Sequence, residues 1–145
     1  MLPAADSPQA TRHSLLIADD DPVVRTTLSM ALEQRFDIVG LAGDGEDAVK
    51  KAAERAPDAA LVDVDMPRGG GLRAVRGIVE HSPFTALIVL SGDEADGVVM
   101  DLLQSGAMAY CRKGGQTRQL ADTIERSIRA HKALGTGSSL PPAAA

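Results

Sequence analysis

The sequence predicts an α/β fold: a doubly wound, five-stranded parallel sheet in the order 2-1-3-4-5, with five helices. Three observations predict it. Five short apolar runs alternate with stretches of helical period, which is the pattern of βα units. Crossovers between parallel strands are right-handed in nearly all cases, so helices cover both faces only when strand order reverses once. Finally, a carboxylate, a hydroxyl or a lysine stands just past four of the five runs, along the sheet edge where open α/β sheets place their chemistry.

The first strand is expected at about residues 14–18, ending Leu15-Leu16-Ile17-Ala18, and Asp19-Asp20-Asp21-Pro22 follows. An Asp before a Pro at the first helical position caps a helix, and Val24, Leu28, Ala31 and Leu32 then repeat at helical spacing. The second strand, about 37–41, leads to Gly43-Asp44-Gly45-Glu46, a turn and helix start before Ala48, Val49, Ala52 and Ala53. The third, about 58–63, ends at Asp63; Gly69-Gly70-Gly71 reads as a flexible loop permitting backbone movement before Leu72, Val75, Ile78 and Val79. The fourth, about 85–90, meets Ser91 and a helix carrying Val98, Val99, Leu102 and Leu103. The fifth, about 108–112, meets Lys113 and a helix with Leu120, Ile124 and Ile128 four apart. Residues 1–13, with Pro3, Ser7, Pro8 and Thr11, read as a disordered leader, 14–133 as one domain, and 134–145 as a linker or tail.

Composition narrows the function. The net charge of −5 and pI near 5.1 argue against direct nucleic-acid contact or membrane binding by this segment, which require a basic surface. Two Phe, one Tyr and no Trp argue against a base-stacking surface. The single cysteine, Cys111, cannot pair within the chain, and no apolar stretch approaches the roughly 20 residues of a membrane span. The expected location is cytoplasmic.

If the strands pair as predicted, neighbours about 4.8 Å apart bring Asp19 and Asp20 close to Asp63. Two unit charges about 4 Å apart repel by about 4 kcal/mol at an effective dielectric of about 20. A bound cation relieves this, and oxygen-only ligands suit Mg2+. Asp21 alone suffices for capping, and Asp20 is open to either role; no helix begins directly after Asp63, in Val64-Asp65-Met66-Pro67. Lys113 is either a strand-end lysine or a cation reaching a phosphoryl group or Asp63, and Ser91 either a turn residue or a hydroxyl donor to an oxyanion. Together these groups are the equipment for phosphoryl transfer by positioning and charge neutralisation.

The runs Leu16-Ile17-Ala18-Asp19-Asp20-Asp21-Pro22, Leu61-Val62-Asp63-Val64-Asp65-Met66-Pro67 with Gly71-Leu72, Ile88-Val89-Leu90-Ser91 and Gly106-Ala107-Met108-Ala109-Tyr110-Cys111-Arg112-Lys113 resemble, in order and spacing, the receiver domain of bacterial two-component response regulators over about residues 14–133. The resemblance implies a flavodoxin-like topology and a phosphorylation-activated signalling domain, not a turnover enzyme. It implies Asp63 as phosphoacceptor from a sensor histidine kinase, and Mg2+ held by Asp20 directly, Asp19 through water, Asp63, and the main-chain carbonyl of Asp65. Lys113 matches the lysine that pairs with the phosphoryl group. Ser91 and Tyr110 match the switch pair that alters the surface of the fourth helix, fifth strand and fifth helix, through which a homodimer or an output domain beyond Ala145, including a DNA-binding one, would respond.

The sequence departs from the family pattern in two respects. Gly114-Gly115 follows Lys113 where the family usually has proline, which implies a looser loop. Asp65 and Asp93 lie two residues after Asp63 and Ser91, where they would tune the phosphoryl lifetime, either by orienting water or by repelling it. Asp63-Val64-Asp65 also resembles the start of haloacid-dehalogenase-like phosphatases, but there the acidic pair comes last in the chain, whereas Asp19-Asp20 leads here. A pseudo-receiver that binds without phosphorylation is the other alternative. Arg118, Arg126, Arg129 and Lys132 give the fifth helix a basic face, solvated or available to a partner.

Overall fold

A computed structural model describes residues 12–68, 70–92 and 96–137. The elements alternate strictly: β1 (His13–Ala18), α1 (Pro22–Leu32), β2 (Phe36–Ala42), α2 (Gly45–Arg55), β3 (Ala59–Asp63), α3 (Gly70–His81), β4 (Ala86–Ser91), α4 (Asp96–Gln104), β5 (Ala109–Arg112) and α5 (Thr117–Gly137). All pairings are parallel, in the order β2-β1-β3-β4-β5. The order reverses between β1 and β3, as expected of a flavodoxin-like sheet.

Side chains of successive strand residues point to opposite faces, and the two cores follow that alternation. Leu15, Ile17, Leu61 and Ile88 join Leu32 of α1 and Ala121, Ile124 and Ile128 of α5 on one face. Leu16, Ala60, Val62, Leu87 and Val89 join Ala48 and Ala52 of α2, Val75 and Ile78 of α3 and Leu102 of α4 on the other. β3 and β4 are buried along their whole length, which accounts for their near-continuous apolar runs.

Two helix starts are fixed by capping. The Asp21 carboxylate accepts from the Val23 amide, and that of Asp44 from the Asp47 amide, each 2.9 Å or shorter. Asp21 thus takes the capping role alone and leaves Asp20 uncommitted.

Three expectations change. Gly70 and Gly71 are not a flexible loop; they are the buried first residues of α3. A Cβ on Gly71 would lie 2.5 Å from the Val64 carbonyl oxygen, and one on Gly70 2.9 Å from Met66 Cβ, so these glycines permit close packing. Gly69 lies outside the described residues. β1 begins one residue inside the expected leader, at His13, and α5 continues through Ala133 and Leu134 to Gly137, because no proline interrupts it before Pro141. Residues 1–11 of the expected leader and 138–145 of the expected tail lie outside the described residues.

The basic face of α5 is partly engaged within the chain: Lys132 Nζ lies 3.6 Å from Asp58, which also pairs with His13 at 3.5 Å. Earlier in the helix, Arg35 reaches both Asp122 and Glu125 at 2.9 Å.

Candidate functional site

Register builds the site. Ala18 pairs with Val62, so the next residue on each strand, Asp19 and Asp63, stand side by side. Asp63 in turn pairs with Leu90, and Ser91 with Arg112, which brings Ser91 and Lys113 to the same edge. The Lys113 amide donates to the Ser91 carbonyl at 2.8 Å and carries the ladder one step beyond β5.

Asp19 is 0 % exposed and Asp63 1 % exposed, whereas Asp20 is open to solvent. One carboxylate oxygen from each of the three lies within 4.8 Å of the others. The Lys113 ammonium bridges the two buried acids, 3.1 Å from Asp19 Oδ2 and 3.1 Å from Asp63 Oδ1. The geometry at Asp19 Oδ2 is that of a charge contact, since this buried oxygen receives no well-aimed hydrogen bond. Each acid also accepts one main-chain amide two residues on: Asp21 donates to Asp19 Oδ1 at 2.9 Å and Asp65 to Asp63 Oδ1 at 3.1 Å. Ser91 is fully buried at the end of β4, and Tyr110 is half-buried on β5 against the α2, α3 and α4 core.

A model of the response regulator receiver domain family matches residues 15–125, the span that carries all of these groups. The chain belongs to this family. Receiver domains are parts of two-component response regulators, signalling proteins that interact with histidine kinases and output domains. Among relatives, this receiver domain is 36 % identical over 112 residues to the response regulator GacA of Pseudomonas viridiflava, covering 76 % of this chain and 52 % of that one. It is 34 % identical over 127 residues to the transcriptional regulatory protein PdtaR of Mycobacterium tuberculosis, covering 87 % and 62 %. The chain therefore spans half to three-fifths of the length of these curated relatives. Among solved structures, the response regulator domain of Thermotoga maritima CheB superposes with a TM-score of 0.70 at 29 % identity, covering 83 % and 96 %. A DNA-binding response regulator of the LuxR family from Staphylococcus aureus shares the fold, with a TM-score of 0.74 at 24 % identity and coverage of 80 % and 98 %.

The electrostatics of the receiver site follow from its burial. Desolvation, reinforced by the charge of Asp19, holds the Asp63 carboxyl above its ordinary value although the Asp65 amide and Lys113 pull it down. For Lys113, burial works against the ammonium, but the two carboxylates outweigh it and raise its pKa. Three carboxylate oxygens within 4.8 Å of one another, one of them on Asp19 buried without a well-aimed donor, form a donor set that suits a small hard ion. Asp19, Asp20 and Asp63 are the residues that would hold Mg2+.

Beside this acidic edge runs a groove of about 620 Å3 between α1 and α5, lined by Val24, Leu28, Leu90, Cys111 and Leu120 and reaching Lys113. Its lining is mostly apolar, so the chemistry belongs to the smaller acidic edge. In the loop after Lys113, Gly114 takes a φ of +82°, in the left-handed region that favours glycine. Among the expected site residues, the structure gathers Asp19, Asp20, Asp63, Ser91 and Lys113 at one edge. Asp65 lies exposed one turn beyond Asp63, and Asp93 falls outside the described residues. One neighbour was missed from the sequence: Arg25, whose Nη1 donates to the Asp19 carbonyl at 2.7 Å. The available signal was that Arg25 is the lone charge among the eleven residues of α1.

Proposed function

We propose that this receiver domain accepts a phosphoryl group on Asp63 from a phosphohistidine of a sensor histidine kinase, in a Mg2+-dependent reaction, and relays the change to an output. The observation that carries the proposal is the buried Asp63 carboxylate, 3.1 Å from Lys113 Nζ and within 4.8 Å of the acidic pair. An Asp63 oxygen forms the new bond to phosphorus as the phosphorus–nitrogen bond of the donor breaks, and the freed imidazole nitrogen keeps the electron pair and takes up a proton. Mg2+, held by Asp19, Asp20, Asp63 and the Asp65 carbonyl, would neutralise charge on the phosphoryl oxygens. Lys113, drawn to the carboxylates beforehand, carries its charge to the same oxygens. The burial of Asp63 limits the access of water to the new acyl phosphate.

The readout in this proposal uses Ser91 and Tyr110. The Ser91 hydroxyl turns toward a phosphoryl oxygen and the Tyr110 ring moves inward behind it, shifting the population of surfaces around α4, β5 and α5. That surface serves a homodimer or an output domain beyond Ala145, with transcription as the favoured output because relatives such as PdtaR are transcriptional regulators. Asp65 and Asp93 tune the lifetime of the phosphoryl group. The test is intact mass after incubation with acetyl phosphate and Mg2+: wild type gains one base-labile phosphoryl group, and EDTA or Asp63→Asn abolishes the gain. Equal labelling of Asp63→Asn and wild type overturns the proposal.

A further inference from the structure

α1 has the sequence Pro22-Val23-Val24-Arg25-Thr26-Thr27-Leu28-Ser29-Met30-Ala31-Leu32, in which Arg25 is the lone charge. A single charged residue on a partly apolar surface helix would ordinarily extend into water, where it costs least. Arg25 instead is half-buried, and its Nη1 donates to the main-chain carbonyl of Asp19 at 2.7 Å. The same Nη1 lies where Gly43 leaves room: a Cβ at position 43 would approach it to 3.1 Å, and the guanidinium carbon to 3.7 Å. The guanidinium therefore links α1, the loop after β1 and the loop after β2.

The carbonyl it grips belongs to the peptide unit joining Asp19 to Asp20. The other handles on Asp19 are the bond from its amide to the Ala42 carbonyl at 3.0 Å, the bond from the Asp21 amide to its Oδ1 at 2.9 Å, and the Lys113 ammonium 3.1 Å from its Oδ2. Amide, carboxylate and carbonyl thus share no partner, and Arg25 alone holds the carbonyl among the described residues. The Asp19 carbonyl also sets the plane of the peptide from which the exposed Asp20 side chain departs.

We propose that Arg25 is a positioning residue for the cation site: it fixes the Asp19–Asp20 peptide so that both carboxylates face Asp63. This role rests on the Mg2+ reading of the preceding subsection. Partners that orient a ligand without touching the metal change metal affinity by about tenfold or more when removed. The alternative, that Arg25 acts only through its charge, has the opposite sign. A fixed positive charge near a cation site opposes binding, so its loss would tighten binding.

The test is calorimetric titration of the metal-free full chain with MgCl2. Arg25→Ala and Gly43→Val, which keeps the arginine but fills its seat, are each expected to raise the Mg2+ dissociation constant about tenfold. Arg25→Lys, which keeps the charge and one donor, is expected to fall between wild type and Arg25→Ala. Amide NMR shifts of the metal-free variants should change chiefly at Asp20 and Asp21, and urea unfolding in EDTA identifies any variant that weakens binding by unfolding. Unchanged or tighter binding in folded Arg25→Ala, or in folded Gly43→Val, overturns the positioning role. Wild-type protein that takes up no Mg2+ removes the metal reading itself, an outcome distinct from wild type and variants binding alike.

Discussion

Lys113 Nζ lies 3.1 Å from Asp63 Oδ1 although the two residues sit on strands separated by β4, because each stands at the carboxyl end of its strand. The pair is not a stabilising ornament. Asp63 is held above its ordinary pKa by burial and by the neighbouring Asp19, so its ionised form is strained toward whatever further positive charge can reach it.

That strain has a definite sign. A carboxyl whose folded pKa is raised adds stability only below its unfolded value, near 3.8, and loses that contribution as pH rises through the folded value. At neutral pH, above its unfolded value, the Asp63 carboxyl therefore costs stability in the metal-free protein. Asp63→Asn is expected to raise unfolding stability in EDTA by about 1 kcal/mol at neutral pH, with the gain shrinking as pH falls toward 3.8. Urea unfolding across that range measures it; a variant less stable than wild type at neutral pH contradicts the reading.

Removing the cation should do the reverse. Lys113→Met leaves two buried carboxylates facing each other and is expected to cost about 2 kcal/mol without metal, less than for a fully buried pair because the lysine is partly exposed. The Lys113 contribution is present below 10.5 and is lost as pH rises through its raised folded value, so the gap from wild type should hold at neutral pH and close in alkali. Added Mg2+ should stabilise the variant more than wild type, because it supplies the missing charge. Thermal unfolding with and without MgCl2 reads both effects.

Packing at the start of α3 predicts a contrast between two glycines. Gly71→Ala brings a methyl group to 2.5 Å from a backbone oxygen and should cost about 2 kcal/mol. Gly97→Ala, in α4 with nothing within 4 Å, should gain about 0.5 kcal/mol. Equal unfolding midpoints for the two would show that the loop after β3 yields freely.

In the loop after Lys113, Gly114 has open space around it but a φ of +82°. Gly114→Ala should therefore cost about 1 kcal/mol from the backbone alone. Gly114→Pro, which installs the residue usual in the family, cannot keep that φ. It should displace Lys113, lose more stability than Ala, and slow labelling by acetyl phosphate.

The fold was legible because its signals are local and periodic: each strand falls within two residues of its expected span, and one reversal of strand order sufficed to place β1 beside β3. The grouping of Asp19, Asp63, Ser91 and Lys113 followed from their positions at strand ends. What stayed hidden depends on how separate elements meet. Gly70 and Gly71 read as a loop because nothing in their spacing reveals how closely the Val64 carbonyl and Met66 approach. The inward turn of Arg25 depends on the seat at Gly43, a loop away, and the pairing of Arg35 with Asp122 joins residues 87 positions apart. The length of α5 was underestimated because Gly135 and Gly137 have linker composition, although the chain remains helical through them.

The most direct measurement traps the acyl phosphate chemically. After incubation with acetyl phosphate and Mg2+, borohydride reduction converts a phosphorylated aspartate to homoserine, and peptide mass spectrometry locates it. Homoserine is expected at position 63 alone, and none when Mg2+ is chelated. Reduction at another aspartate, or at none in folded, Mg2+-bound protein, would contradict it.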